Sequence, residues 1–252
     1  MTIKKILLTL GLLLFVACAN KGDELDLSGI AEGELYSLAD EEFQSKNYSK
    51  AASLFRVVVD EYPFSALAAK AQIMEAYSYY LGLKFIEAEV AIEEFLTLFP
   101  GNENTEWAYF LKSIIYYDQI LVVKLDQEFS VKAKESITEY LNRYPNGKYV
   151  KDLTLKLDLV NEHLAGKEML VAKYYQDNAD YVAAINRYQD VFYNYSTTSH
   201  IQEALYRLSE CYYILGIESE AKKYAAVLGH NYPASKWYNY AYNIMRTDAT
   251  KN

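Results

Sequence analysis

Residues able to do chemistry are few in this chain and scattered. Three histidines (His163, His200, His230) and two cysteines (Cys18, Cys211) occur in 252 residues. No histidine sits in a His-Glu-x-x-His pattern, and the two cysteines lack the short spacing that holds zinc, so no metal site is expected. No glycine-rich loop cradles a phosphate, and no Gly-x-Ser-x-Gly elbow presents a serine. The adjacent acids Glu41-Glu42 and Glu93-Glu94 read as solvated helix faces, because neighbouring helix positions do not face each other. Facing carboxylates across a cleft, which glycan hydrolysis requires, have no sign here. Cys211 lies in an apolar helical stretch and reads as an inert buried thiol. The expectation is a protein that offers surfaces, with no catalytic residues, metal or cofactor.

Cys18 is the exception. It ends the run Phe15-Val16-Ala17-Cys18, after Lys4, Lys5 and an apolar stretch from Ile6 to Val16. Eleven apolar residues rise only about 16 Å as a helix, half of a bilayer core, so residues 1–17 read as a signal peptide. Small residues before the cysteine resemble a bacterial lipobox, with Phe15 where leucine is usual. That pattern makes Cys18 the lipid-attachment residue and the mature N-terminus. Ala19 in place of an aspartate favours export to the outer membrane. Residues 18–33 read as the lipidated end and a flexible, acidic tether. Loss of the leader takes the formal charge from −9 to −11.

Behind the tether stands a repeat. Each of the four prolines follows an aromatic residue: Tyr62-Pro63, Phe99-Pro100, Tyr144-Pro145 and Tyr232-Pro233. Each has an alanine twelve residues earlier, at Ala51, Ala88, Ala133 and Ala221. A further copy keeps Ala184 and Tyr195 but carries Ser196 in place of proline. Between alanine and proline, Phe55/Val58, Ile92/Phe95, Ile137/Tyr140, Tyr188/Val191 and Ala225/Leu228 complete an i, i+4, i+7 stripe. Proline stops that helix. Upstream of it lies a second helical pattern, with Leu35, Leu38 and Phe43 in the first copy. Asn47 and Asp180 are cap-competent residues in the turns, and His200 and His230 fall near repeat boundaries, where turn roles fit.

This resembles the tetratricopeptide repeat, a helix–turn–helix unit of about 34 residues. The predicted fold is an all-α tetratricopeptide-repeat (TPR) solenoid of about five units. Residues 34–146 form repeats 1–3, residues 147–246 form repeats 4–5 with a capping segment, and 247–252 form a tail. The alanine spacings of 37, 45, 51 and 37 mean that every copy carries extra residues and the middle ones many. Leu121–Phe129 reads as an inserted turn and Lys148–Lys167 as a lengthened helix. Sparse glycine and proline and the absence of β alternation agree with all-α. The negative charge excludes nucleic acid as a partner.

The order of lipobox, acidic tether and five repeats resembles the BamD family of outer-membrane assembly lipoproteins. Specific stretches carry the likeness. They are Glu34-Leu35-Tyr36 through Tyr62-Pro63-Phe64, the run from Asp158 to Glu168, Ala184-Ile185-Asn186-Arg187-Tyr188, Tyr195 to His200, and Ala225 through Tyr238. Lys236 departs, standing where an acid is expected. The resemblance implies a non-enzymatic subunit of the β-barrel assembly machinery on the periplasmic face of the outer membrane, anchored in the membrane by lipid. It implies C-terminal repeats that bind the periplasmic domains of the barrel subunit BamA, and N-terminal repeats that receive unfolded outer-membrane β-barrel proteins. Other assembly-machinery lipoproteins are implied as further partners. The nearest rival is an envelope TPR scaffold coordinating constriction or cell-wall proteins, which would carry sustained heptads; none is present.

The TPR likeness also implies which positions line a groove. They are Tyr36, Asp40 and Phe43 in repeat 1, Ile73, Tyr77 and Tyr80 in repeat 2, and Trp107, Phe110, Ile114 and Tyr117 in repeat 3. All but Asp40 are apolar or aromatic, and the lysine–asparagine clamp of chaperone-tail readers is missing. After the last repeat, Tyr232, Trp237, Tyr238, Tyr240 and Tyr242 cluster as part cap, part docking patch, with Trp237, Tyr238 and Tyr240 the partner-docking candidates.

Overall fold

In the computed structural model, residues 29–249 are described. Cys18, the leader and most of the expected tether lie outside them, as do residues 250–252. Eleven α-helices and no strand occur among the described residues. Repeat 1 pairs α1 (Glu32–Gln44) with α2 (Tyr48–Glu61). Repeat 2 pairs α3 (Ala68–Leu81) with α4 (Phe85–Leu98), and repeat 3 pairs α5 (Thr105–Tyr117) with α6 (Glu128–Arg143). Repeat 4 pairs α7 (Val150–Asp177) with α8 (Tyr181–Asn194), and repeat 5 pairs α9 (Ile201–Ile214) with α10 (Glu218–Asn231). Helix α11 (Lys236–Ala249) follows as a cap. Helix α1 begins two residues inside the expected tether, and the Tyr62 hydroxyl pins its approach by donating to the Ile30 carbonyl at 2.8 Å.

The proline–alanine register has a structural counterpart in every copy. Ala51, Ala88, Ala133, Ala184 and Ala221 are all fully buried, which lets the neighbouring helix approach closely. The aromatic residue before each proline caps its helix with an extended φ, −129° at Tyr62, −126° at Phe99, −127° at Tyr144 and −136° at Tyr232. A following proline disfavours helical geometry at the preceding residue. Tyr195 takes the same geometry, φ −137°, with Ser196 behind it; ring packing against two apolar clusters holds it without the proline. In the stripe of repeat 5 the buried place belongs to Tyr224, not Ala225. Tyr224 is 1% exposed, and its ring stacks on Tyr212 at 5.7 Å.

The turns inside repeats 1, 2, 4 and 5 share one device. Lys46, Leu83, Ala179 and Gly216 adopt left-handed φ of 62°, 58°, 61° and 75°. The next residue's N–H then reaches back to Glu42, Tyr79, Tyr175 and Tyr212 carbonyls, closing the helix end as a C-terminal cap. Asp180 caps α8 by accepting from the Ala183 N–H at 3.3 Å. Asn47 does not cap with its side chain, which donates to Glu42 Oε2 at 2.8 Å instead. His200 sits just before α9, 3.7 Å from a Glu162 carboxylate that accepts from Ser199.

Repeat 3 replaces the short turn with residues 118–127, which begin three residues before the stretch read as an insertion and end two residues before its end. Helix α7 has 28 residues, about 42 Å at 1.5 Å per residue. Its first half buries Leu153 and Val160 against repeat 3, and its second half buries Ala165, Met169 and Ala172 in the core of repeats 4 and 5. Four apolar clusters run along the stack, linked where Met74 and Tyr195 each touch two of them, as expected of stacked repeats that share one core.

Candidate functional site

The first helices of repeats 1–3 place their aromatic residues in a row. Phe43 of α1 meets Tyr77 of α3, ring centroids 5.7 Å apart, and Tyr77 meets Trp107 of α5 edge-on at 5.3 Å. Tyr77 also stacks on Tyr80 at 6.2 Å. The Tyr80 hydroxyl donates to Asp118 Oδ2 at 2.6 Å, tying repeat 2 to the end of α5. Burial and that carboxylate together push the Tyr80 phenol well above its ordinary range. All four rings are half-buried, so each keeps an edge open while its neighbours fix its rotamer.

Other groove positions go elsewhere. Tyr36 lies against Phe55 at 5.2 Å, under the Lys70 ammonium at 4.9 Å. Ile73 is 5% exposed and belongs to the core. Phe110 stacks on Tyr149 at 4.0 Å, between α5 and the start of α7, and Ile114 packs into the same cluster. Tyr117 extends the aromatic face. It lies under the Lys156 ammonium at 5.3 Å and, with Leu159, Val160 and His163, lines a cavity of about 350 Å³. His163 Nδ1 is buried there without a partner.

Sequence reasoning missed the α7 side of this face. Leu155 and Leu159 are 58% and 54% exposed. They stand four apart, with His163 four further on, a stripe distinct from the buried Leu153, Val160 and Leu164. That second apolar stripe on one helix was the available signal.

At the other end, the C-terminal aromatics divide into cap and patch. Trp237 stacks on Tyr206 at 5.4 Å, and the Arg207 guanidinium lies 5.7 Å from the indole. Arg207 is held in turn by Glu210 at 2.9 Å. Tyr238 presses on Gly229, where a Cβ would come within 2.5 Å of its ring. These two residues close the last repeat. Tyr240 and Tyr242 remain 48% and 52% exposed beside them.

No grouping of three or more His, Cys, Asp or Glu able to hold a metal occurs among the described residues. Cys211 is fully buried, and desolvation pushes its thiol up to about 12, which suppresses the reactive thiolate. No described helix is long and apolar enough to cross a membrane. The rings of the site offer shape and apolar surface.

Stacked helix pairs with an aromatic face and an aromatic cap define a helical-repeat scaffold of the tetratricopeptide type. A solved thermophilic TPR protein from Thermus thermophilus is similar at a TM-score of 0.39 and 16% identity, over 85% of this chain and 99% of that one. Residues 30–228 match the family model YfiO, described as outer membrane lipoprotein. The outer membrane protein assembly factor BamD of Rickettsia prowazekii is 42% identical over 95% of both chains. The BamD of Caulobacter vibrioides is 37% identical over 86% of this chain and 71% of its own. The chain belongs to this family of outer membrane lipoproteins, the BamD family.

Proposed function

We propose that the protein is a lipid-anchored, non-enzymatic subunit of the machinery that assembles β-barrel proteins into the outer membrane. Cys18 carries the lipid and holds the repeats on the periplasmic face. The N-terminal repeats take up segments of unfolded outer-membrane proteins. The C-terminal end docks the periplasmic domains of a BamA-like barrel subunit, with Tyr240 and Tyr242 outermost and Trp237 and Tyr238 bracing them. Other assembly lipoproteins join the same complex. Family membership and the assembly-factor names of the relatives support the assembly role.

The binding reading rests on one observation, the unbroken ring line Phe43–Tyr77–Trp107 across three successive repeats. Pre-packed aromatic side chains bind extended or helical segments with little further loss of rotamer entropy, and such residues dominate binding energy at interfaces. The test is the affinity of a peptide from the C-terminal strand of an outer-membrane barrel for a Tyr77→Ala/Trp107→Ala chain with unchanged circular dichroism. The expected result is a loss of at least about tenfold, the effect of removing one or two such anchors. Unchanged affinity contradicts the groove.

A further inference from the structure

A second surface lies on the other helices of repeats 1 and 2. Between α2 and α4 runs an open groove of about 900 Å³. One wall is an apolar ridge on α4, with Ile86 76% and Val90 54% exposed. The floor is Gln72 of α3, fully buried. Its Nε2 donates to Glu94 Oε2 at 3.2 Å, which fixes the amide orientation and leaves Oε1 with no donor. One turn along α3, Glu75 is 3% exposed and its Oε2 also lacks a donor. A buried acceptor without a donor costs on the order of 1–3 kcal/mol, so Gln72 Oε1 at the groove marks a missing partner.

The charges around the groove agree. Asp60, Glu89, Glu93 and Glu94 line it, and its single lining cation, Arg56, is already engaged by Glu94 at 2.6 Å and Asp60 at 3.0 Å. From outside the groove Lys112 meets Glu93 at 2.7 Å and Lys132 meets Glu89 at 3.5 Å, so four carboxylates stand against three cations and the rim keeps an excess of negative charge. The expected tether does not suit it. Residues 19–28 set Asp23, Glu24 and Asp26 against Lys21 alone.

We propose that this groove docks an amphipathic helical segment of a partner protein that carries an arginine or lysine among apolar side chains. The apolar side chains lie along Ile86 and Val90. The cation reaches the Gln72 carbonyl and the acidic rim. Helix α4 has 14 residues, about 20 Å, enough to seat three to four turns of such a segment. This face is formed by the second helices, apart from the ring line on the first helices, so the two surfaces can be occupied together.

The test uses the chain from residue 19 onward and a fluorescent 16-residue leucine–alanine–glutamine helix with one central arginine. Two further peptides replace the arginine by glutamine or by glutamate. The arginine peptide is expected to bind at least tenfold more tightly than the glutamine form, and the glutamate form not at all. Val90→Asp, an exposed change whose fold is checked by circular dichroism, is expected to weaken the arginine peptide tenfold or more. Tyr77→Ala/Trp107→Ala is expected to leave it unchanged. Equal binding of the three peptides, no binding of any, or indifference to Val90→Asp overturns the proposal. So does a dimer in sedimentation velocity that Val90→Asp dissolves, which assigns the groove to a second copy.

Discussion

Tyr77 and Trp107, on the first helices of adjacent repeats, meet edge to face with ring planes 83° apart and centroids 5.3 Å apart. Phe43 also meets Tyr77, at 5.7 Å, so one phenol ring joins three repeats. Rings in this geometry contribute roughly 0.5–1.5 kcal/mol per pair beyond their area. Tyr77→Leu is therefore expected to lower unfolding free energy by about 1–3 kcal/mol while the chain stays folded. Urea denaturation measures this; a loss below the experimental error means the rings touch without coupling the repeats.

The left-handed turns offer a sharper test of the repeat geometry. Lys46, Leu83 and Ala179 hold a conformation that costs a side-chain-bearing residue about 1 kcal/mol relative to glycine, and Gly216 shows glycine in the same place. Ala179→Gly should stabilise the chain by roughly 0.5–1 kcal/mol, and Gly216→Ala should destabilise it by about 1 kcal/mol. Paired thermal melts decide. Opposite signs at the two sites support the shared turn, and equal signs do not.

Glu75 predicts a pH dependence. Burial raises its carboxyl to about 7 from 4.5; nearby Arg56 opposes this, and Glu94 and Asp60 add to it. The native state therefore keeps a proton that the unfolded chain has lost between about pH 4.5 and 7. Stability contributed by this group is full below pH 4.5, falls across that window, and is level above it. The span is on the order of 3 kcal/mol. Glu75→Gln should flatten that part of the stability profile and raise the melting temperature at pH 8. A mutant less stable than the parent at pH 8 shows that the ionised carboxylate is held by Arg56 instead.

Gly229 and Tyr238 set the seat of the cap helix. A methyl group at 229 must displace the Tyr238 ring, at a cost of about 1–3 kcal/mol by the usual penalty for overpacking. Gly229→Ala should speed hydrogen exchange in α11, and adding Tyr238→Leu should restore part of the protection. Additive effects of the two changes would show that the contact is not coupled.

Much of the fold was legible because the repeat punishes error at fixed places. An alanine in each close helix contact and an aromatic–proline stop after it left a register that survived insertions, and all five alanines are buried. The site was less legible. A half-buried Tyr77 and a fully packed Ile73 are both apolar residues of one helical pattern, and only neighbouring repeats decide which faces outward. Phe110 is drawn inward by Tyr149, which stands at the start of the long helix α7. The exposed Leu155 and Leu159 belong to the lengthened helix that the repeat pattern does not describe. Left-handed Lys46, Leu83 and Ala179 carry no local mark, since glycine holds the left-handed position in only one of the four turns, and Gly82 stands one residue before it in another.

The most direct test of the assembly role is depletion of the protein in its own cell, followed by quantitative profiling of outer-membrane proteins. The account predicts that many β-barrel proteins fall together, that the parent chain restores them, and that Tyr77→Ala/Trp107→Ala, produced at equal level, does not. Normal barrel levels after depletion, with a defect confined to septation, would contradict it and favour a scaffold for envelope constriction.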